Sequence, residues 1–300
     1  MADTRAVGIV GVGLLGTAVS GVLLKAGYRV VAYDIVPERA AALEAQGGRG
    51  AESAAEVASS TGALFTILPT LASVEEAITG RRGVLEGAGP DTTIIQMSTI
   101  SPDLAIRMEG AARGRGVAFL DAPISGTSSM VAQRDCVVTV GGDRAAYERC
   151  RRILEALAKR VFHVGACGLA SHLKLVTNLV MGLHGVVLAE GLTLARRAGL
   201  DPGQTLEILS QGAAASKILD VRGPLMIAGR FDPLMKMELF LKDIRLMLEA
   251  GQDLHVPLPL TGMMQQLYTA AVAGGQGQED LSGIIRLYEA MAGLPPRRQP

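Results

Sequence analysis

The chain has little of what marks a nucleic-acid-binding, metal-binding or disulfide-rich protein. Its 29 basic residues are matched by 29 acidic ones, so the net charge of zero indicates no nucleic-acid partner. The three cysteines and four histidines show no metal-ligand spacing. A small, odd number of cysteines is typical of a reducing compartment. We therefore expect a cytoplasmic protein that binds no metal.

Charge is also missing from residues 6–24, a stretch that could be a transmembrane span or a secretory signal. Five glycines interrupt the stretch, and no small-residue cleavage site precedes Lys25. The single basic residue before it, Arg5, is balanced by Asp3. These features favour a folded segment of a globular domain, and we expect no membrane partner.

The glycines of this stretch follow a dinucleotide-binding pattern. An apolar run precedes a glycine-rich turn, a helical stretch follows it, and a second apolar run ends in Asp34. The turn consists of Gly11, Val12, Gly13, Leu14, Leu15 and Gly16. Its first glycine permits the tight turn, the second a close approach to a pyrophosphate, and the third close packing of helix on strand. Asp34, about 20 residues downstream, can bind the ribose hydroxyls of the adenosine.

Residues 1–164 are predicted to form a Rossmann domain of the α/β class. Short β-branched runs alternate with alanine-rich helical stretches, which is typical of a parallel sheet covered on both faces. The predicted strands are Val7–Val10, Val30–Tyr33, Leu64–Ile67, Thr93–Gln96, Val117–Asp121, Cys136–Val140 and Arg160–Val164.

Residues 165–300 are predicted to form an all-α domain built around one long helix. That helix, Leu173–Arg197, is apolar on most faces, which favours a core or an interface. Polar residues interrupt it, so a membrane span is disfavoured. The further predicted helices are Gly203–Gln211, Leu234–Leu254, Leu260–Ala273 and Leu281–Ala290. The apolar surface of the long helix also predicts a homodimer or a homotetramer.

Three segments that follow predicted strands carry groups that could bind ligands. They are Leu68-Pro69-Thr70, Met97-Ser98-Thr99 and Asp121–Ser129. Ligands of this fold class lie at the carboxyl ends of the strands. Each of the first two segments is also typical of an ordinary turn with a hydroxyl cap. The third could hold a substrate carboxylate with its N–H groups and hydroxyls, or it could be a flexible polar turn.

Two polar pairs in the second domain could also take part in chemistry. Lys174 and Asn178 are four residues apart in the long helix and share one face of it. A lysine in an apolar helix is costly unless it is paired, reaches solvent or is functional. Such an amine could exchange protons near neutral pH, while the amide could hold a substrate oxygen. Lys242 and Asp243 could instead form an ion pair on an exposed helix face.

Taken together, these segments resemble the β-hydroxyacid dehydrogenases, typified by 3-hydroxyisobutyrate dehydrogenase. The matching pieces run nearly from end to end of the chain. They are GVGLLG at 11–16, LP at 68–69, ST at 98–99, DAPISG at 121–126, GxxGxxxxxKxxxN at 165–178 and KD at 242–243. The resemblance implies a Rossmann domain followed by a helical domain. It also implies NAD(P)-dependent interconversion of a small 3-hydroxy acid and its semialdehyde by hydride transfer.

The resemblance implies a role for each matched position. Lys174 would be the general acid/base, and Asn178 would orient the substrate. The substrate carboxylate would be bound by Ser125, Gly126 and Thr127. Besides the glycine-rich turn and Asp34, the cofactor would contact Leu68, Pro69, Ser73, Thr99 and Lys242.

The carboxylate of Asp34 predicts NAD, with NADP as the less favoured cofactor. A 2′-phosphate would meet this negative charge. Ile35 and Val36 supply no cation for such a phosphate, although Arg39 lies close in sequence.

Three departures from the family pattern bear on the site. Thr127-Ser128-Ser129 replaces a glycine-rich continuation, which changes the expected substrate shape. Thr177 stands where many members have asparagine, and Gln96 stands where many have aspartate.

Three alternative functions remain open. The first is an imine reductase-like enzyme, and the second is a non-catalytic dinucleotide-binding scaffold. Relatives of both kinds usually lack the lysine, so Lys174 argues against them. The third, a phosphogluconate-type decarboxylating enzyme, is disfavoured because the chain is short and shows no phosphate-binding arginines near the helices of the second domain.

Overall fold

The computed structural model describes residues 6–295. The chain divides into two compact units, Met1–Lys174 and Leu175–Pro300. The division falls inside the long helix, ten residues after the boundary predicted at 164/165, which stays a prediction. The α/β class, with a Rossmann unit followed by a helical unit, is confirmed.

The first unit is built on one twisted sheet. Its strands within the described residues are β1 (Ala6–Val10), β2 (Arg29–Tyr33), β3 (Arg49–Gly50), β4 (Ala63–Thr66), β5 (Thr93–Gln96), β6 (Ala118–Asp121), β7 (Ile124–Ser125), β8 (Val137–Gly142) and β9 (Arg160–Gly165). The spatial order is β3-β2-β1-β4-β5-β6-β8-β7, and β9 also pairs with β8. The chain therefore runs outward from β1 to β3 and then crosses back to β4. The carboxyl ends of β1 and β4 lie at this switch point, where ligands of such sheets bind.

Helices cover both faces of this sheet. They are α1 (Leu14–Lys25), α2 (Pro37–Glu44), α3 (Ala54–Ser60), α4 (Leu71–Thr79), α5 (Val84–Gly87), α6 (Pro102–Arg113), α7 (Ser128–Ala132) and α8 (Arg144–Leu157). Strand side chains alternate between two apolar clusters, with Ile9 and Phe65 in one and Val10 and Leu64 in the other. A sheet buried on both faces explains why its strands read as continuous apolar runs.

The sheet is parallel except at one side, where β8 runs against two of its neighbours. Strand β8 pairs antiparallel with β6 and with β7, although it pairs parallel with β9. A parallel connection needs a crossover of a dozen or more residues, usually a helix. The segment between β6 and β8 is long enough but holds only β7 and the five-residue α7, with no helix that crosses the sheet, and the chain reverses direction there.

The second unit is helical throughout its described part. After the long helix α9 (Leu169–Arg197) come α10 (Pro202–Gln211), α11 (Lys217–Ala228), α12 (Met237–Asp253), α13 (Pro259–Ala271) and α14 (Ile284–Met291). A short π-helical turn, Val272–Gln276, and a 3-10 turn, Leu281–Gly283, precede α14. Helix α11 was missed from sequence, because Gly223 and Pro224 interrupt its pattern.

Helix α9 is the longest element of the described chain. Among the described residues it alone is long and apolar enough to cross a membrane, and 44% of its most apolar window is buried inside the protein. Core helices of globular proteins share these properties. Within the second unit, a Cβ added to Gly182 would lie 2.5 Å from the Phe240 ring. This glycine therefore lets α9 and α12 pack closely.

Candidate functional site

The glycine-rich turn after β1 has the tight geometry expected from its sequence. Gly11 has a φ of +98°, and its N–H donates to the Tyr33 carbonyl at 2.9 Å. A Cβ on Gly11 would lie 2.2 Å from the carbonyl oxygen of Ile67. A Cβ on Gly16 would lie 2.0 Å from the carbonyl oxygen of Gly11, so this glycine holds α1 against the turn.

The N-terminus of α1 fits a dinucleotide pyrophosphate. Gly13 is the N-cap residue, and no side chain caps this end of the helix. The first turn of α1 also holds no acidic residue. A Cβ placed on Gly13 meets no atom within 4 Å, so packing within the protein does not require glycine here. The N–H groups and the positive end of the helix dipole are therefore suited to an anion that approaches the backbone closely.

Asp34 closes the turn from the end of β2. The residue is 8% exposed, and its Oδ2 accepts a hydrogen bond from the Val12 N–H at 2.7 Å. The other oxygen, Oδ1, accepts from the Val36 N–H at 2.9 Å and pairs with Arg39 Nη1 at 3.3 Å. This carboxylate thus orders the pyrophosphate turn, and an exposed guanidinium offsets part of its charge.

The loops after β4 and β5 are tied to each other. The Leu68 N–H donates to Ser98 Oγ at 2.8 Å. Gln96 is fully buried, and its amide accepts from the Ser98 N–H at 2.7 Å and donates to the Ser98 carbonyl at 2.8 Å. The glutamine that departs from the family pattern therefore fixes the turn that leads to Thr99.

Ser73 lies at the start of α4 and has a structural function in this structure. Its hydroxyl forms a capping box with Thr70, which satisfies N–H groups at that helix end. Pro69 and Thr70 are exposed beside it, whereas Leu68 and Thr99 are half-buried. The predicted cofactor contacts at Leu68, Pro69, Ser73 and Thr99 stay predictions, and that of Ser73 would have to coexist with its capping bonds.

The candidate carboxylate-binding residues lie where β7 turns into α7. Ser125 ends β7, and Gly126 has a φ of +152°. A Cβ on Gly126 would lie 2.9 Å from Cys136 Cβ, so a larger residue does not fit. Thr127 is the N-cap of α7, and its Oγ1 accepts from the Met130 N–H at 3.3 Å. The residues that replace the glycine-rich continuation therefore start a short helix, which the sequence analysis did not predict.

Asp121, at the end of β6, is fully buried and caps α9. Its Oδ2 accepts hydrogen bonds from the Gly168 N–H at 3.1 Å and the Ser171 N–H at 2.8 Å. Its Oδ1 accepts from Ser171 Oγ at 2.7 Å. Burial raises the pKa of this carboxyl above its ordinary value, although these donors and the nearby His172 act in the opposite direction.

Lys174 and Asn178 lie in α9, as predicted, but their surroundings differ. Lys174 is half-buried, whereas Asn178 is 3% exposed. Asn178 Nδ2 donates to Asp243 Oδ2 at 2.8 Å. Lys242 Nζ lies 3.1 Å from Asp243 Oδ1. Asp243 is itself 2% exposed, so it is not part of the solvated, ion-paired face that periodicity alone favoured.

Three polar residues that organise this region were not identified from the sequence. Asp121 appeared only as the first residue of a loop, Gln96 only as a departure, and Asp243 only as half of a short motif. All three side chains are buried and satisfy neighbouring polar groups. A buried polar residue beside a predicted ligand loop is the signal that could have identified them.

The candidate residues divide between the two units. The first unit holds the glycine-rich turn with Asp34, the loops at Leu68 and Thr99, the Ser125–Thr127 segment and Lys174. The second unit holds Asn178, Lys242 and Asp243. Within the described residues, no group of three or more histidine, cysteine or acidic side chains could hold a metal ion.

Two family models match consecutive parts of the chain. Residues 6–165 match the NAD binding domain of 6-phosphogluconate dehydrogenase. Residues 168–288 match the NAD-binding domain of NADP-dependent 3-hydroxyisobutyrate dehydrogenase.

Individual proteins are similar over nearly the whole chain. A 2-(hydroxymethyl)glutarate dehydrogenase of Eubacterium barkeri is 34% identical, and the match covers 96% of both chains. The crystal structure of a 3-hydroxyisobutyrate dehydrogenase from Salmonella typhimurium is 30% identical, with a TM-score of 0.87 over 94% of this chain and 99% of that one. The human cytokine-like nuclear factor N-PAC is 31% identical, but the match covers only 51% of its length.

Proposed function

Because the chain belongs to the 3-hydroxyisobutyrate dehydrogenase family and is an NAD(P)-dependent hydroxyacid dehydrogenase, we propose that it interconverts a small 3-hydroxy acid and its semialdehyde. Lys174 is the general acid/base in this proposal. The observation that carries it is the spacing of Lys174 and Asn178 on α9, together with the buried bond that orients Asn178. An amine and an oriented amide, one helical turn apart, suit a hydroxyl that becomes a carbonyl.

Lys174 supplies the proton chemistry of the proposal. In the oxidative direction, its neutral amine takes the proton of the substrate hydroxyl at Nζ, and the carbon–oxygen bond becomes a double bond. A nicotinamide cofactor held at the glycine-rich turn would supply the redox chemistry, as the acceptor of the hydride from that carbon. In the reductive direction, the protonated amine returns its proton to the alkoxide oxygen. Each turnover thus moves one proton through Lys174.

Asn178 orients the reacting oxygen without adding charge. One amide N–H is committed to Asp243, which sets the rotation of the amide plane. The carbonyl oxygen and the second N–H are then in fixed directions. Replacing the amide by a carboxylate would place a second negative charge beside Asp243, at a cost in this buried position.

The segment Ser125–Thr127 is proposed to bind the substrate carboxylate. The Thr127 hydroxyl is engaged at the N-terminus of α7. The interaction is therefore assigned to the Ser125 hydroxyl and to the N–H groups of Gly126 and Thr127. In this proposal the carboxylate is held by Ser125–Thr127, and the hydroxyl that lies two carbons from it is the group that reacts with Lys174.

NAD is the proposed preferred cofactor. Asp34 is ordered by two N–H groups, and its carboxylate suits ribose hydroxyls and repels a 2′-phosphate. Arg39 reduces this repulsion, because its guanidinium already pairs with Asp34 and is half exposed. NADP is therefore proposed as the weaker cofactor.

We also propose a cytoplasmic homodimer or homotetramer without metal, membrane or nucleic-acid partners. The three cysteines are free and buried, which fits a reducing compartment. Helix α9 exposes apolar side chains at a seven-residue interval, namely Leu173, Val180, Val187 and Leu194. Such a stripe is typical of a helix that packs on another subunit.

A substrate screen tests the proposed activity. Absorbance at 340 nm would be followed with each nicotinamide cofactor and 3-hydroxyisobutyrate, 3-hydroxypropionate, glycerate, threonate, 4-hydroxybutyrate or 2-(hydroxymethyl)glutarate. We expect turnover of at least one 3-hydroxy acid, with a higher kcat/KM for NAD than for NADP. Turnover of cyclic imines alone would indicate an imine reductase, and cofactor binding without any turnover would indicate a scaffold.

A lysine variant tests the proposed mechanism. Lys174→Ala should lower kcat by about 10²- to 10⁴-fold, the usual contribution of a positioned acid/base. Its NAD affinity should be unchanged. Lys159→Ala, at an exposed position outside the site, is the matched control and should keep full activity. Unaltered turnover in Lys174→Ala would remove the proposed acid/base.

A further inference from the structure

We propose that Asp121 is a positioning residue for the reaction, because its carboxylate fixes the helix that carries Lys174 with respect to the segment that carries Ser125. The inference rests on the proposed role of Lys174. It extends the proposal to a residue that would touch neither substrate nor cofactor.

The carboxylate acts as the cap of α9 from a distance. Gly168 occupies the N-cap position and has no side chain to accept a hydrogen bond from the first turn. Asp121 takes this role from 47 residues away, with bonds to the Gly168 N–H at 3.1 Å and the Ser171 N–H at 2.8 Å. It also accepts from the Ser171 hydroxyl at 2.7 Å. The negative charge lies at the positive end of a 29-residue helix, where it is favourable.

Asp121 is itself held rigidly. It is the last residue of β6 and is paired with Gln96 of β5 on one side and Gly141 of β8 on the other. The next residue, Ala122, donates its N–H to the Gln96 carbonyl at 2.7 Å. Because the sheet fixes the position of this carboxylate, its hydrogen bonds determine where the first turn of α9 lies.

Sequence spacing connects the cap to both parts of the proposed site. Ser171 precedes Lys174 by three residues, so the two share a face of α9 one turn apart. Asp121 precedes Ser125 by four residues on the strand and turn that lead to the candidate carboxylate-binding segment. One side chain therefore joins the acid/base to the segment proposed to hold the substrate. The four residues of this argument, Asp121, Ser125, Ser171 and Lys174, all lie in the first unit.

Loss of the carboxylate should shift the amine rather than remove it. Three donors would be left in a buried place without an acceptor, and the first turn of α9 would move to find other partners. A displacement of about 1 Å in a catalytic group can cost on the order of 100-fold in rate. Cofactor binding at the β1 turn should be unaffected.

The test compares three variants with a capping control. Asp121→Ala removes the acceptor, whereas Asp121→Asn keeps acceptors for both N–H groups and can donate to the Ser171 hydroxyl. Ser171→Ala removes one bond of the three. Asp143→Ala is the control, since Asp143 caps α8 through the Ala146 N–H at 2.8 Å and α8 carries no proposed site residue. For each protein, kcat, KM, the Kd of NAD and Tm would be measured.

We expect Asp121→Ala to lose about 100-fold in kcat with less than about threefold change in the Kd of NAD. Asp121→Asn should retain most of the kcat, and Ser171→Ala should lose roughly fivefold to tenfold, the effect of one hydrogen bond. Asp143→Ala should have a lower Tm than wild type but the same kcat. If Asp121→Ala does not fold, the kcat of Ser171→Ala tests the positioning role instead.

Two results would overturn the inference. One is a kcat within about threefold of wild type in folded Asp121→Ala, or in Ser171→Ala where the former does not fold. The other is a kcat loss in Asp143→Ala equal to that in Asp121→Ala. Measuring Lys174→Ala alongside separates the proposed acid/base role of Lys174 from the positioning role of Asp121. If Lys174→Ala stays active, the proposed acid/base fails, whereas an inactive Lys174→Ala beside an active Asp121→Ala removes only the positioning role.

Discussion

Among the described residues, each unit contains one aspartate with no exposed surface, and the two units use these carboxylates in opposite ways. Asp121 of the first unit accepts hydrogen bonds only from neutral donors at the start of α9. Asp280 of the second unit pairs with Arg222, whose Nε lies 3.0 Å from Oδ1. Asp280 also accepts from the N–H groups of Leu234, Met235 and Ser282 at 3.0–3.2 Å.

The pKa values of the two carboxyls diverge accordingly. Burial raises the pKa of Asp121, and its neutral donors only partly counteract this effect. Burial also raises the pKa of Asp280, but the charge and bonds of Arg222 and the backbone donors outweigh it and lower the pKa overall. In the first unit, a buried charge at a helix end beside a proposed site thus lowers the stability of the fold. The second unit uses a charge pair to hold α11, the loop before α12 and the 3-10 turn together.

Removing the carboxylate of the second unit should give the largest loss of stability. Asp280→Ala leaves the Arg222 guanidinium buried without a counter-charge, which costs about 3–5 kcal/mol in comparable cases. Urea unfolding followed by circular dichroism would measure the loss. The double variant Arg222→Met with Asp280→Leu is the control and should recover much of the stability, since the unpaired charge is gone. A single-variant loss below about 1 kcal/mol would show that the pair is not needed.

The two carboxyls should change the stability of the fold with pH in opposite directions. The folded pKa of Asp280 lies below its ordinary value of 3.8, so its stabilisation is present above that value and lost as the pH falls through the folded pKa. The folded pKa of Asp121 lies above 3.8, so the folded state binds the proton more tightly. Its ionisation therefore destabilises the fold as the pH rises from 3.8 through the folded pKa.

Two asparagine variants would measure these opposite pH dependences of stability. The Tm advantage of wild type over Asp280→Asn should shrink as the pH falls below about 4. The Tm difference between wild type and Asp121→Asn should shift in favour of the variant as the pH rises above about 4. If the Tm difference between wild type and variant changed with pH in the same direction for both variants, the comparison would be contradicted. Asp143→Asn, at an exposed helix cap, serves as the reference for a surface carboxyl.

How far the sequence predicts the molecule also differs between the two units. In the first unit, the glycines, β-branched runs and Asp34 predict the strands and the glycine-rich turn, because their spacing reflects local backbone geometry. In the second unit, periodicity predicts that helices exist but not which side chains meet. The Asn178–Asp243 and Arg222–Asp280 pairs join residues 65 and 58 positions apart, and no local pattern encodes such separations. Asp121 escaped prediction for the same reason, since its partners lie 47 and 50 residues away.

The pair of Asp34 with the exposed Arg39 should have the smallest effect on stability of the changes considered, and it should have a measurable effect on cofactor choice. Arg39 is 51% exposed where it meets Asp34, against 5% for Arg222. Arg39→Gln should therefore change the free energy of unfolding by less than about 1 kcal/mol. It should lower kcat/KM for NADP about tenfold more than for NAD, which corresponds to one charge-assisted hydrogen bond of roughly 1.5 kcal/mol. Arg49→Gln, which removes an equally exposed guanidinium paired with Glu56, is the control and should leave the cofactor ratio unchanged. An unaltered ratio in Arg39→Gln would mean that this arginine only screens Asp34, and the preference for NAD would then rest on the carboxylate alone.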